Sequence, residues 1–171
     1  MKKSIIIILS IAALTMEGCD VLDKYPLDKP SQETFYTNAQ EINGGINACY
    51  KFLQETDEGS YVFPIVLDCM SDIGFPRQDN DFKTIAKGEQ DDKNGTVGKT
   101  WKRAYQGIGR CNSMLQVIDE KSSLLTESEI KQFKGEALFL RAYYYTHLVT
   151  YFGDVPLILK PVVSVDEGLS V

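Results

Sequence analysis

Gly135–Leu157 reads GEALFLRAYYYTHLVTYFGDVPL, and the spacing of its apolar residues decides the fold. Followed back to Ile130, the positions Ile130, Phe133, Ala137, Leu140, Tyr144, Leu148 and Tyr151 recur every three or four residues, which lines them along one side of an α-helix. The start signal is Thr126-Glu-Ser-Glu129, where a threonine hydroxyl and a glutamate three residues later can cap each other's backbone N–H groups. The stop signal is Gly153, the residue type favoured just past a C-terminus, followed by Pro156, which prevents resumption. The helix so predicted is roughly 25 residues long, or about 38 Å. VPLIL, Val155–Leu159, then reads as a short extended segment.

The same stretch holds Glu136, Arg141, His147 and Asp154, which together resemble a catalytic set. Their spacing argues for scaffold. Glu136 and Arg141 are five apart and do not sit above one another on a helix. Arg141 lies at the edge of the apolar face, where it can bury its stem and carry its charge to a carboxylate or a helix end. His147 has no carboxylate one helical turn away, at 143 or 151, and no serine or cysteine placed in sequence as its nucleophile. Asp154 follows the glycine in a turn, where aspartate commonly caps backbone N–H groups.

A second helix is predicted from about Gly98 to Ile118, with Trp101, Ala104, Ile108, Cys111, Leu115 and Ile118 on one face and Trp101 as part of the core. Asn112 flanks that stripe and needs partners, which a hydrogen bond to a neighbouring turn would supply. The link DEKSSLL, Asp119–Leu125, joins the two helices into an antiparallel hairpin. A first helix is expected from Thr37, through a capping box Thr37 to Gln40, with Ile42, Ile46, Cys49 and Leu53 as its stripe. Gly44 and Gly45 weaken that helix by roughly 1 kcal/mol each and are tolerable where another helix passes close. YVFPIVLDCM, Tyr61–Met70, reads as a short helix starting near Pro64, with an edge strand as the alternative. Residues 71–98 read as one long irregular excursion, and long loops are more often functional than decorative.

Other motifs carry less chemistry. GTVGKT, Gly95–Thr100, contains the G-K-T of a phosphate loop, but residue 93 is lysine where the pattern needs glycine, and no hydrophobic strand leads in. NGT at Asn94–Thr96 reads as a simple turn. Asp68 and Asp72 would share a face if their segment is helical, the one hint of a hydrolytic carboxylate pair, but nothing else converges on them. The net charge of -6 and pI of about 4.8 speak against nucleic acid as a partner.

Lys2 and Lys3 followed by SIIIILSIAALTM read as an export signal, too short in its apolar core to span a bilayer. It ends in MEGC, which resembles a lipoprotein box with Met16 at -3, Gly18 at -1 and Cys19 as the acylated residue; Glu17 at -2 departs from the usual small or neutral residue. The reading is therefore a signal peptide over 1–18, an extended leader over 19–36 containing Pro26 and Pro30, and a helical domain over 37–171. A diacylglyceryl group plus an N-acyl chain on Cys19 would anchor an acidic body to a membrane. Cys49, Cys69 and Cys111 then remain, an odd number without metal-ligand spacing, and read as buried thiols. Nothing points to a metal or cofactor.

Four pieces together resemble the N-terminal part of the SusD/RagB family of outer-membrane nutrient-binding lipoproteins. They are Cys19 with DVLDKYP, TFYTNAQEINGGINACYKFL with DCMSD after it, WKRAYQGIGRCNSMLQVI, and FKGEALFLRAYYYTHLVTYFGDVPLI. The resemblance implies an all-α fold of tetratricopeptide-like antiparallel helix pairs. It also implies a non-enzymatic, lipid-anchored protein on the cell-surface face of the outer membrane, which captures glycans or peptides and delivers them to a TonB-dependent SusC-like transporter. Family members are several times longer, so this chain reads as about the first third, a fragment or a short form. A sugar site needs aromatic faces and polar side chains, and the 71–98 excursion offers Phe75, Arg77, Asp79, Asn80 and Phe82. The competing expectation is an adaptor that binds the transporter alone.

Overall fold

The computed structural model describes residues 35–54, 62–77 and 81–162, so Cys19, the signal peptide and most of the leader lie outside the described residues. In chain order the elements are α1 (Ala39–Cys49), α2 (Lys51–Gln54), α3 (Val62–Met70), α4 (Asp81–Ala86), α5 (Gly95–Glu120), a 3-10 turn (Ser122–Leu124) and α6 (Glu127–Phe152). Among the described residues there is no strand, and the fold is all-α, with no helix long and apolar enough to cross a membrane.

α5 and α6 form the predicted hairpin. Trp101 meets Phe152, Tyr105 meets Tyr145, Asn112 meets Arg141 and Asp119 meets Lys134, so numbers rise on one helix as they fall on the other. The capping box of α6 forms as its sequence directs: Glu129 N donates to Thr126 Oγ1 at 3.3 Å, and Thr126 N donates back to Glu129 Oε2 at 2.8 Å. At the far end Gly153 takes φ +74°, a left-handed conformation that favours glycine, and its N–H donates to Val149 O.

The core follows the predicted stripes of α1 and α6, while on α5 Met114 and Val117 join it and the expected Leu115 is only partly buried. Phe133, Ala137, Leu140, Tyr144 and Leu148 of α6 pack with Ala104, Ile108, Cys111, Met114, Val117 and Ile118 of α5 and with Ile42, Ile46 and Cys49 of α1. Tyr144 is fully buried; its hydroxyl donates to Cys49 O at 2.6 Å and so closes the end of α1 onto the hairpin. Two glycines permit the close approach. A Cβ on Gly107 would lie 2.5 Å from the Tyr144 ring, and one on Gly45 would lie 2.5 Å from Met114 Sδ. The three described cysteines are free and buried. The hydrogen bond shared with Cys49, together with burial, pushes the Cys111 thiol far above its ordinary range, which leaves it an inert packing group.

Several expected boundaries move. α1 is capped by Asn38, not Thr37: the Asn38 side chain accepts from Glu41 N at 3.0 Å, while the Glu41 carboxylate reaches back past it to accept from Thr37 N and Thr37 Oγ1, and the expected Thr37–Gln40 box does not form. α1 ends at Cys49 and α2 restarts at Lys51, which turns Phe52 inward and leaves Leu53 partly buried. α3 is a helix, beginning two residues before Pro64. α5 begins at Gly95, with Asn94 as N-cap accepting from Val97 N at 3.0 Å; NGT and GTVGKT are thus its cap and first turns. The excursion is correspondingly shorter and contains α4. Trp101 is 37% exposed and not core; its ring lies 4.9 Å from Tyr105 and meets Phe152 edge-on at 5.1 Å.

Past Gly153 the chain runs back along the hairpin as an extended strap without strand partners, held by side chains. Tyr105 OH donates to Pro156 O at 2.8 Å, and Ile158 N donates to Tyr145 OH at 2.6 Å. Asn112 Nδ2 donates to Ile158 O at 2.9 Å and to Lys160 O at 3.2 Å. Arg141 Nη1 donates to Asn112 Oδ1 at 2.9 Å and to Leu159 O at 3.3 Å. The expected partner of Arg141 was a carboxylate or a helix end; it is an amide and a strap carbonyl. Glu136 instead accepts from Tyr50 OH and Gln132 Nε2, and Asp154 sits exposed in the turn before Pro156.

Candidate functional site

α3 and α4 build a second small core of Val66, Cys69 and Ile85, with Phe82, Val97 and Tyr151 packed around it. Polar welds fix α4 to the start of α5. Asn94 Nδ2 donates to Asp81 O at 3.0 Å and to Thr84 Oγ1 at 2.8 Å, and Thr96 N donates to Asp81 Oδ2 at 3.0 Å. α3 is held to α6 by Tyr151 OH, which donates to Phe63 O at 2.7 Å, and by the His147 ring stacked on Phe63 at 4.6 Å.

These elements enclose an open cavity of about 340 Å³. Val66, Met70, Ile85 and Val97 supply its aliphatic wall, Tyr151 and Phe152 its aromatic wall, and Gln90, Asp91 and Asp92 its polar lining. Aromatic surface beside amide and carboxylate acceptors is the chemistry that a sugar ring requires, and the volume lies at the small end of ligand sites. A larger cleft of about 460 Å³ lies between α1 and α5. There Arg110 lies over the Phe52 ring at 4.9 Å and donates to Ala48 O, so its guanidinium serves to close the end of α1.

The residues proposed from sequence do not converge on this cavity. Phe75 is 75% exposed and Arg77 is also exposed, both on the irregular stretch after α3, and neither lines the cavity. Phe82 turns inward against the second core. Asp79 and Asn80 lie outside the described residues. Asp68 and Asp72 do not pair on a helix, because α3 ends at Met70. Of the cavity residues, Tyr151 reads in the sequence only as part of the α6 stripe, and Gln90, Asp91, Asp92 and Phe152 carry no individual signal. The polar run EQDD just ahead of a helix N-cap is the one hint of Gln90, Asp91 and Asp92 as a group.

His147 is a packing group. Tyr151 OH gives its proton to Phe63 O, so it accepts from His147 Nδ1 at 3.2 Å, and the ring is neutral with the proton on Nδ1. Nε2 is buried without a partner, and burial pushes the histidine pKa below its ordinary 6.5. The folded state thus binds fewer protons than the unfolded one, and stability is lost as pH falls through about 6.5, levelling off below the depressed folded value. Urea midpoints at pH 8 and pH 5 are expected to differ more for the parent chain than for His147→Phe; equal differences would exclude this linkage.

An antiparallel helix hairpin, a third helix closing its groove and a cavity at one end define a helical scaffold with a candidate site. Comparison with known proteins places it more narrowly. Residues 20–167 match the SusD-like family model described as starch-binding associating with outer membrane. The chain belongs to the SusD-like family. It is 28% identical over 153 residues to SusD-like protein P2 of Formosa agariphila, covering 86% of this chain and 30% of that protein. It is 25% identical over 173 residues to SusD-like protein P25 of the same organism, covering 95% and 33%. A crystal structure of a SusD superfamily protein from Bacteroides vulgatus superposes with a TM-score of 0.67 at 26% identity, over 77% of this chain and 29% of that one. The chain thus spans about a third of the length of these relatives.

Proposed function

We propose that this chain is the glycan-capturing N-terminal part of a non-enzymatic outer-membrane lipoprotein, anchored through Cys19, which passes an oligosaccharide to a TonB-dependent SusC-like transporter. The observation that carries this reading is the family match over residues 20–167, whose description joins starch binding to the outer membrane. The cavity beside Tyr151 and Phe152 supports capture. His147, enclosed by Phe63, Tyr143 and Tyr151, supports binding without turnover.

A second reading, a scaffold that binds only the transporter, draws on Ile73 and Phe75. Both are exposed, at 90% and 75%, on the stretch after α3, where a protein surface would cover them better than water. The test is purification of the tagged full chain from outer membranes in mild detergent. A β-barrel transporter is expected to co-purify, and the complex is expected to bind an oligosaccharide saturably. Cys19→Ala is expected to leave the chain unacylated and outside the membrane fraction. Barrel binding without any glycan binding would establish the second reading; turnover of a glycan would refute both.

A further inference from the structure

We infer that the cavity between α3, α4 and the end of α6 takes an uncharged saccharide end and discriminates against uronate and sulfated glycans. This rests on the glycan-capture reading and goes further by naming the class of sugar.

The walls offer only apolar and aromatic contact. Both hydroxyl-bearing residues of the lining are engaged elsewhere: Thr100 is buried and donates its proton to Thr96 O at 2.8 Å, and Tyr151 OH donates to Phe63 O at 2.7 Å. Polar recognition therefore falls to Gln90, Asp91 and Asp92, all exposed at the rim. Asp91 Oδ1 accepts from Lys93 N at 3.0 Å, which fixes the carboxylate while its second oxygen can accept from a ligand. Two carboxylates suit sugar hydroxyls, which donate protons to them in charge-assisted hydrogen bonds. They repel a carboxylate or sulfate on the ligand. No lysine or arginine is among the described lining residues. Nothing in the wall would neutralise a ligand anion. At about 340 Å³ the cavity has room for the end of a chain rather than a long stretch of it.

The test is calorimetric titration of the detergent-solubilised full chain with two sets of probes. One set is uncharged hexasaccharides (maltohexaose, xylohexaose, mannohexaose, laminarihexaose); the other is anionic hexamers of alginate and polygalacturonate. At least one uncharged probe is expected to bind, with no anionic probe within about tenfold of it. D91N/D92N keeps the acceptor for Lys93 N and is expected to weaken the uncharged probe about tenfold or more. E120Q/E127Q loses the same charge at the opposite end of the hairpin and is expected to bind as the parent does. Tighter binding of an anionic hexamer, or uncharged binding indifferent to D91N/D92N, would overturn this inference and leave glycan capture standing. Failure of every probe of either charge would remove the capture reading, and this inference with it.

Discussion

Tyr144→Ala is expected to lower the unfolding free energy by about 3–5 kcal/mol, the range for truncating a large buried ring. Tyr144 stands where three helices meet. Its ring lies against Gly107 of α5, at a separation that leaves no room for a methyl group there, and its hydroxyl bonds Cys49 O at the end of α1. Truncation opens a cavity at the centre of the main core and leaves that buried carbonyl short of a donor. The neighbours cannot close the gap, because Gly107 has no side chain to move into it. Tyr144→Phe keeps the ring and loses only the bond to Cys49 O, so its cost is expected near 1–2 kcal/mol. Urea unfolding curves of the three chains check the order. A Tyr144→Ala midpoint equal to that of Tyr144→Phe would show that the ring fills no unique space.

Asn112→Leu is expected to cost about 2–4 kcal/mol and to release the strap. Asn112 is only 2% exposed, and its amide gives both protons to strap carbonyls while its oxygen accepts from Arg141. Leucine fits a similar volume but satisfies none of them. Arg141 would keep only its 3.3 Å bond to Leu159 O. Hydrogen exchange separates this local release from general destabilisation: the Ile158 amide is expected to lose protection well before amides in the middle of α5. Unchanged protection at Ile158 would mean that Tyr105 and Tyr145 suffice to hold the strap.

The long elements were legible because their signals are local and redundant. α6 has a periodic stripe, a reciprocal cap and a glycine stop, and all three hold. α1 moved by one capping position because Thr37 and Asn38 are both good caps, and the choice fell to the residue whose side chain Glu41 N could reach. α5 starts three residues earlier than its apolar pattern, since Gly95 and Gly98 argue against helix locally while Asn94 and Asp81 supply hydrogen bonds from outside the segment. Trp101 matched the helical spacing yet sits at the border of the stripe, where a slight rotation decides between core and rim. α4, at six residues, is too short for periodicity to reveal. The cavity was illegible for a different reason. Its walls come from residues 66, 70, 85, 90–92, 97, 100 and 151–152, and no linear pattern records that they meet.

The strap grips both helices of the hairpin, through Tyr105 and Asn112 on α5 and Arg141 and Tyr145 on α6. Mechanically it is a brace across a two-legged frame: the legs cannot splay without breaking bonds on both sides. Compliance is thereby shifted to the other edge of the molecule, where α3 meets α6 through a single phenol bond, the rings of Phe63, Tyr144 and His147, and Tyr151 packed on Val66 and Cys69. A load applied to the frame would be relieved first at that seam, which borders the cavity, so the stiffness of the brace sets where this scaffold can yield.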